Sequence, residues 1–135
     1  MAVSIEAARR LLASQPFSVL VGARLTAFTD GAATIEIDIR EELTQHDGLV
    51  HCGVLAFAAD TALIFAGGSV LGAGALTGGV NISYLRPARG TTLRAHAVTG
   101  ETTGRRAECR AELTTLGPGG QTVVATATGT IALPR

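Results

Sequence analysis

The side chains best equipped for chemistry in this sequence sit together in LVHCGVLAFAADTAL, residues 49–63: His51-Cys52-Gly53 at one end and Asp60 further in. The stretch is otherwise apolar and reads as one helix. Successive helical residues turn by about 100°, so Gly53, Phe57, Asp60 and Ile64 share a face. Burying an unpaired carboxylate costs several kcal/mol, so Asp60 needs a compensating partner or a purpose. One reading has it cap a neighbouring loop or pair with an arginine. The sharper reading makes it a general base tuned by its surroundings. His51-Cys52-Gly53 falls on the first turn, where backbone N–H groups lack helical partners and the helix dipole is positive. Such a turn is suited to a carbonyl oxygen that becomes an oxyanion. Turn and carboxylate are separated by about two helical turns, roughly 10 Å. A substrate lies between them, or two chains each supply one part.

Other chemistries fit the residue types less well. Cys52 at a helix N-terminus beside His51 suggests a nucleophilic thiolate, but adjacent helical residues point in different directions. His46, Asp47, His51 and Cys52 include metal-ligand types at a spacing that matches no common ligand pattern. His96 alternates within a strand as a packing or surface residue, and Cys109 reads as a small core hydrophobe. Residues 72–79 are glycine-rich, yet no GK[ST] follows, so they do not form a phosphate-binding loop.

The elements that must position these residues follow from period and punctuation. Ser4 is a plausible N-cap for a short helix with Ile5, Ala8, Leu11 and Leu12 on one face, ended by Gln15-Pro16. Residues 17–28 read as a strand, and Thr29-Asp30-Gly31 as a turn. Residues 33–40 (ATIEIDIR) alternate apolar and polar, the mark of a half-buried strand. After a polar loop to Gly48, the apolar helix runs to about Gly67, and a glycine-rich segment follows. Residues 80–86, 91–99, 106–116 and 122–133 read as four more strands, with turns at 100–104 and 117–120. Strands grouped on either side of one central helix imply an α+β fold: an antiparallel sheet of about six strands wrapped around that helix.

Composition sets the outer limits. With 135 residues, 47% hydrophobic and 16% charged, the chain has the material for one cored domain, 1–135. Its 11 basic residues are all arginine and balance 11 acidic ones, so there is no uniform basic field for nucleic acid. Two cysteines without CxxC spacing make no disulfide framework, which favours a reducing, cytoplasmic home. The opening MAVSIEAARRLL is amphipathic and lacks the continuous apolar run of a signal peptide. Residues 50–76 are apolar but interrupted by Asp60 and several glycines, a poor membrane span.

Taken together, TQHDGLVHCGVLAFAADTAL, the later NISYLRPARG and the closing ATATGTIALPR resemble the hotdog-fold acyl-CoA thioesterases of the phenylacetate-pathway (PaaI-like) family. That family has an Asn, then six residues later a His-Gly-Gly, and an Asp nine residues beyond the His; His51 and Asp60 keep the spacing. Gln45 stands where the family has Asn, and Cys52 where it has the first Gly. The resemblance implies that Asp60 activates water, or acts as a nucleophile forming an anhydride. It implies that the N–H of Cys52, with that of Gly53, polarises the thioester carbonyl and that His51 holds the loop. Thr77 falls where some relatives have a water-orienting hydroxyl. Arg86, Arg89, Arg105 and Arg106, at strand ends or turns, are either ordinary solvated charge or contacts for coenzyme A phosphates. The family's site forms between two subunits and needs no metal or redox cofactor, so the expected partners are acyl-CoA and a second copy. Pairing of dimers into a tetramer is a further expectation. The rival readings are a non-catalytic acyl-CoA binding module and a hotdog enoyl-CoA hydratase.

Overall fold

The computed structural model describes residues 3–134. Helix α1 (Ile5–Ala13) begins where Ser4 Oγ accepts the Ala7 N–H at 3.1 Å. It buries Ala8 and Leu12. The expected strand over 17–28 is only half right. Pro16 ends one helix but also starts another, α2 (Pro16–Val21), because proline at the first helical position gives up no hydrogen bond there. Gly22, at φ 86°, closes it in the left-handed conformation that glycine adopts without strain. Strand β1 (Arg24–Thr29) then follows.

Strand β2 (Ala32–Asp38) pairs antiparallel with β1 after the turn at Gly31. Two 3-10 turns, Glu41–Leu43 and His46–Gly48, lead into the long helix α3 (Cys52–Leu71). That helix runs four residues past Gly67, where the sequence suggested its end. Gly67 is there for proximity: an added Cβ would lie 2.7 Å from Ile131 Cβ, so only glycine lets α3 seat this closely on the sheet. By length and composition α3 is also apolar enough to cross a membrane, but half of its apolar window is buried inside this fold.

Four strands complete the chain: β3 (Leu76–Tyr84), β4 (Thr92–Thr103), β5 (Arg106–Gly117) and β6 (Gly120–Ala132). Strand β3 starts earlier than its alternating segment, because Leu76 and Thr77 already pair with Ala132 and Ile131. Strand β4 extends through the expected turn at 100–104 by way of a bulge between Thr99 and Thr102, leaving only Gly104-Arg105 to turn. The sheet order is β1-β2-β4-β5-β6-β3, antiparallel throughout. The architecture is therefore α+β, a six-stranded antiparallel sheet around one central helix.

The inner face shows why. Along β5, Ala107, Cys109, Ala111, Leu113 and Thr115 are buried while their neighbours point outward. Ile35, Ile37, Leu93, Val124 and Ile131 are fully covered from the other strands. They meet Leu55, Ala59, Ala62, Leu63 and Ala66 of α3. The alanines let helix and sheet approach closely, and each larger apolar side chain removed from water contributes about 1.5–3 kcal/mol. The face of α3 carrying Phe57, Asp60 and Ile64 lies at the margin of this core and stays half-buried.

Candidate functional site

The turn before α3 is fastened from several sides. The His51 N–H donates to Leu43 O at 2.9 Å, the Val50 N–H to Ala88 O at 3.0 Å and the Gln45 N–H to Leu49 O at 2.7 Å. Arg89 reaches over and donates to Asp47 O at 2.6 Å. Asp47 itself sits at φ 59°, a conformation that aspartate tolerates better than most residues. A loop tied down at this many backbone atoms presents the following turn in one orientation.

His51 is the N-cap of α3: its Nδ1 accepts the Gly53 N–H at 2.8 Å. Two consequences follow. Nδ1 can accept only when it carries no proton, so this bond selects the tautomer with the ring proton on Nε2. The Gly53 N–H is also already engaged, so it does not join Cys52 as a second backbone donor in this conformation. Among the described residues the Cys52 N–H has no protein acceptor, as expected for the first residue of a helix. Gln45 is half-buried beside the turn, and among the described residues its side-chain amide makes no hydrogen bond.

Seven residues along α3, about 10 Å from Gly53, Asp60 accepts a hydrogen bond from Thr77 Oγ1 at 2.7 Å on Oδ1. Asp60 and Thr77 are each half-buried. Helix supplies the carboxylate, and the first residues of β3 supply the hydroxyl. A short hydroxyl-to-carboxylate bond of this kind is stronger than a neutral one and fixes the carboxylate's orientation. This is the partner that Asp60 required, and it is neither a loop backbone nor an arginine.

Tyr84, at the other end of β3, donates from its hydroxyl to Cys52 O at 3.4 Å. Loss of solvation, with a smaller push from Cys52, raises the phenol above its ordinary value, so it stays a donor. Sequence reasoning placed Tyr84 in a strand and within the NISYLRP segment of the resemblance, with no role of its own. Its polar tip on an otherwise exposed aromatic was the available signal. Strand β3 therefore spans the two halves of the chemistry, with Thr77 and Asp60 at one end and Tyr84 and the Cys52 turn at the other.

The four arginines do not gather in one chain. Arg86 donates to Val123 O at 2.7 Å and Arg89 lies on the loop before β4. Arg105 and Arg106 form the hairpin after β4, with Arg105 bonded to Pro134 O and Arg106 4.0 Å from Glu108. Twelve residues of β4 separate the pairs, roughly 40 Å of extended chain. Arg86 and Arg89 have no carboxylate within 4.0 Å among the described residues. His96 is exposed on the outer face of the sheet and shares a hydrogen bond with Thr34 at 2.8 Å. Cys109 is buried, which raises its thiol above the ordinary value, against the lowering effect of the Thr99 hydroxyl beside it.

Comparison with known proteins supplies the family. No curated protein matches the chain. A thioesterase family protein from Silicibacter pomeroyi superposes with a TM-score of 0.87 at 25% identity, covering 92% of this chain and 93% of that one. A variant of the phenylacetic acid degradation protein PaaI from Thermus thermophilus gives 0.78 at 26% identity, over 89% of this chain and 100% of the other. Zebrafish thioesterase superfamily member 2 gives 0.83 at 21% identity, over 98% and 100%, a likeness of fold. The sequence model of the thioesterase superfamily matches residues 47–127, a span that takes in the His51 turn, Asp60, Thr77 and Tyr84. With a hotdog fold and a match over more than half its length, the chain belongs to the thioesterase superfamily.

Proposed function

We propose that the protein is an acyl-CoA thioesterase of the PaaI-like kind, acting on small to medium or aryl acyl groups, with its site completed by a second copy of the chain. The observation that carries this reading is the Thr77–Asp60 hydrogen bond on the half-exposed face of α3. One carboxylate oxygen is held, and among the described residues the other accepts no side-chain hydrogen bond. In the proposed reaction Asp60 takes a proton from water as the water oxygen attacks the thioester carbonyl carbon. The carbonyl oxygen becomes an oxyanion, stabilised by the Cys52 N–H and the positive end of α3, with the His51 Nε2–H as a further donor. The C–S bond then breaks, the thiolate of coenzyme A receives the proton, and the acid is released.

The need for a second copy follows from β3. Its outer edge is unpaired among the described residues, and Leu76, Val80, Tyr84 and Leu85 are exposed along it. An open apolar edge invites strand pairing. Antiparallel pairing of β3 with itself across a two-fold axis sets its Thr77 end against the Tyr84 end of the other copy. That places the Asp60 of each chain opposite the Cys52 turn of the other. The same operation brings the Arg105–Arg106 hairpin of one copy to within about three strand spacings, ~15 Å, of the Arg86–Arg89 loop of the other. Those arginines then line one approach, where they would meet the phosphates of coenzyme A.

The test is thiol release from a panel of acyl-CoAs by wild type and Asp60→Asn, with sedimentation to read the assembly state. Loss of a positioned base lowers kcat by about 10²–10⁴-fold, with ligand binding kept. Full hydrolysis by Asp60→Asn removes Asp60 as the base, and an active monomer removes the two-chain site. Binding without turnover by wild type would leave an acyl-CoA binding module. Acyl thioesters of N-acetylcysteamine, which lack phosphates, complete the panel. Equal kcat/KM on these and on coenzyme A thioesters would withdraw the arginines' role.

A further inference from the structure

Between α1, β1 and the second half of α3 lies a cavity of about 410 Å³, within the roughly 300–1,000 Å³ typical of small-ligand sites. Its walls are apolar: Leu11 and Ala7 of α1, Phe28 of β1, and Ile64 and Phe65 of α3, with Leu76 of β3 at the side. Phe28 and Phe65 meet edge-to-face at 6.4 Å and stiffen one wall. Of the polar side chains bordering it, Ser69 is engaged on both sides and Gln15 through its carbonyl oxygen. Ser69 Oγ takes the Gly31 N–H and donates to Ala66 O, both at 2.7 Å, and Gln15 Oε1 accepts from Ser18. Among the described residues the lining carries no charged side chain.

The cavity lies one helical turn along α3 from the proposed catalytic carboxylate. Ile64 is one turn beyond Asp60 on the same face of α3, and Leu76 directly precedes Thr77, the residue bonded to Asp60. It continues along α3 past Gly68 to Gly72. A Cβ added to Gly68 or Gly72 would meet nothing within 4 Å, so the missing side chains are part of the open volume. From these observations, and resting on the thioesterase reading above, we propose that this cavity holds the acyl chain of the substrate and that Gly68 sets how long that chain can be. The substrate class is then a medium-length linear acyl thioester. From Ile64 to Gly72 the helix rises about 12 Å. An extended hydrocarbon advances about 1.3 Å per carbon, so the cavity takes about eight to ten carbons.

The experiment is a chain-length series from acetyl- to dodecanoyl-CoA, read as kcat/KM for wild type and Gly68→Leu. Leucine is a good helix former, and its Cβ meets nothing within 4 Å at this position. Each methylene that enters the cavity raises kcat/KM by about fourfold in wild type, the equivalent of burying one CH₂. The rise levels off near ten carbons. In Gly68→Leu the ratio of decanoyl to butyryl kcat/KM falls on the order of 100-fold. A uniform change across chain lengths, or an unchanged ratio, overturns the proposal while leaving the thioesterase reading intact. Calorimetric binding of S-decyl- and S-butyl-CoA, thioethers that cannot be hydrolysed, separates the two claims. If wild type cleaves nothing, tighter S-decyl binding that Gly68→Leu abolishes upholds the cavity, and equal binding of both thioethers overturns it.

Discussion

Two adjacent glycines in α3 allow packing to be separated from helix propensity. Replacing either by alanine removes the same backbone freedom and gains up to about 1 kcal/mol for a helix interior. Their surroundings differ. The new methyl at Gly68 meets nothing within 4 Å, whereas at Gly67 it lies 2.7, 2.8 and 3.0 Å from Cβ, Cγ1 and Cγ2 of Ile131. Those are atoms at the root of a fully buried side chain, which cannot swing aside. Either α3 lifts from the sheet or β6 bends, and overpacking of this kind costs about 1–3 kcal/mol. Propensity cancels between the two variants, so Gly67→Ala should be less stable than Gly68→Ala by about that amount. At about 4 °C per kcal/mol for a domain of this size, the gap in Tm is about 4–12 °C. Urea unfolding at one fixed protein concentration is the assay, because self-association would add its own stability. Equal midpoints for the two variants would refute the claim that close approach to Ile131 is what selects glycine at position 67.

Two further outcomes are expected. Thr77→Val removes the hydrogen bond to Asp60 and should lower kcat by about 10- to 100-fold with little change in KM, the scale of one bond to a charged group. Thr77→Ser should restore most of the rate, and wild-type rates in the valine variant would detach the hydroxyl from the chemistry. The two cysteines should react at different speeds with a disulfide reagent at neutral pH. Cys52 is exposed, while Cys109 is buried with its thiol raised and therefore kept protonated. One fast equivalent and a second released only on unfolding is the expected trace. Two fast equivalents would show that β5 opens readily around Cys109.

Where sequence was a good guide, one local cause dominated. Ser4 announced α1 because an N-cap needs only the three residues after it. The alternating strand β2 and the strand-like run that became β5 survived because one face of each lies on the core. Asp60 stood out because an acid among Phe57, Ile64 and alanines has to be explained. Elsewhere two causes competed. Pro16 both stops α1 and starts α2, and its second role was hidden. Gly67 looks like a helix stop, yet it is a contact surface whose meaning depends on Ile131, far along the chain. Thr77 lay in a glycine-rich run and was singled out only through the family resemblance, since its bond to Asp60 is made by β3 docking beside α3. The arginines looked like one group because strand length and direction, which send them to opposite ends of β4, are properties of the assembled sheet. Gly53 kept its place on the turn, but the use of its N–H by His51 is a matter of side-chain geometry.

The strand order also dictates a schedule. Strand β3 ends at Tyr84, but its neighbour in the sheet is β6, which begins 36 positions later at Gly120. At about 5–20 residues per second on a ribosome, the finished β3 waits some 2–7 s before its partner begins to be made. During that interval both of its edges are open. The Gly78-Gly79 pair within it lowers the tendency of such a segment to pair with the wrong chain. The strand whose outer edge is free to meet a second copy is thus the one that must wait for the last-made strand before it joins the sheet.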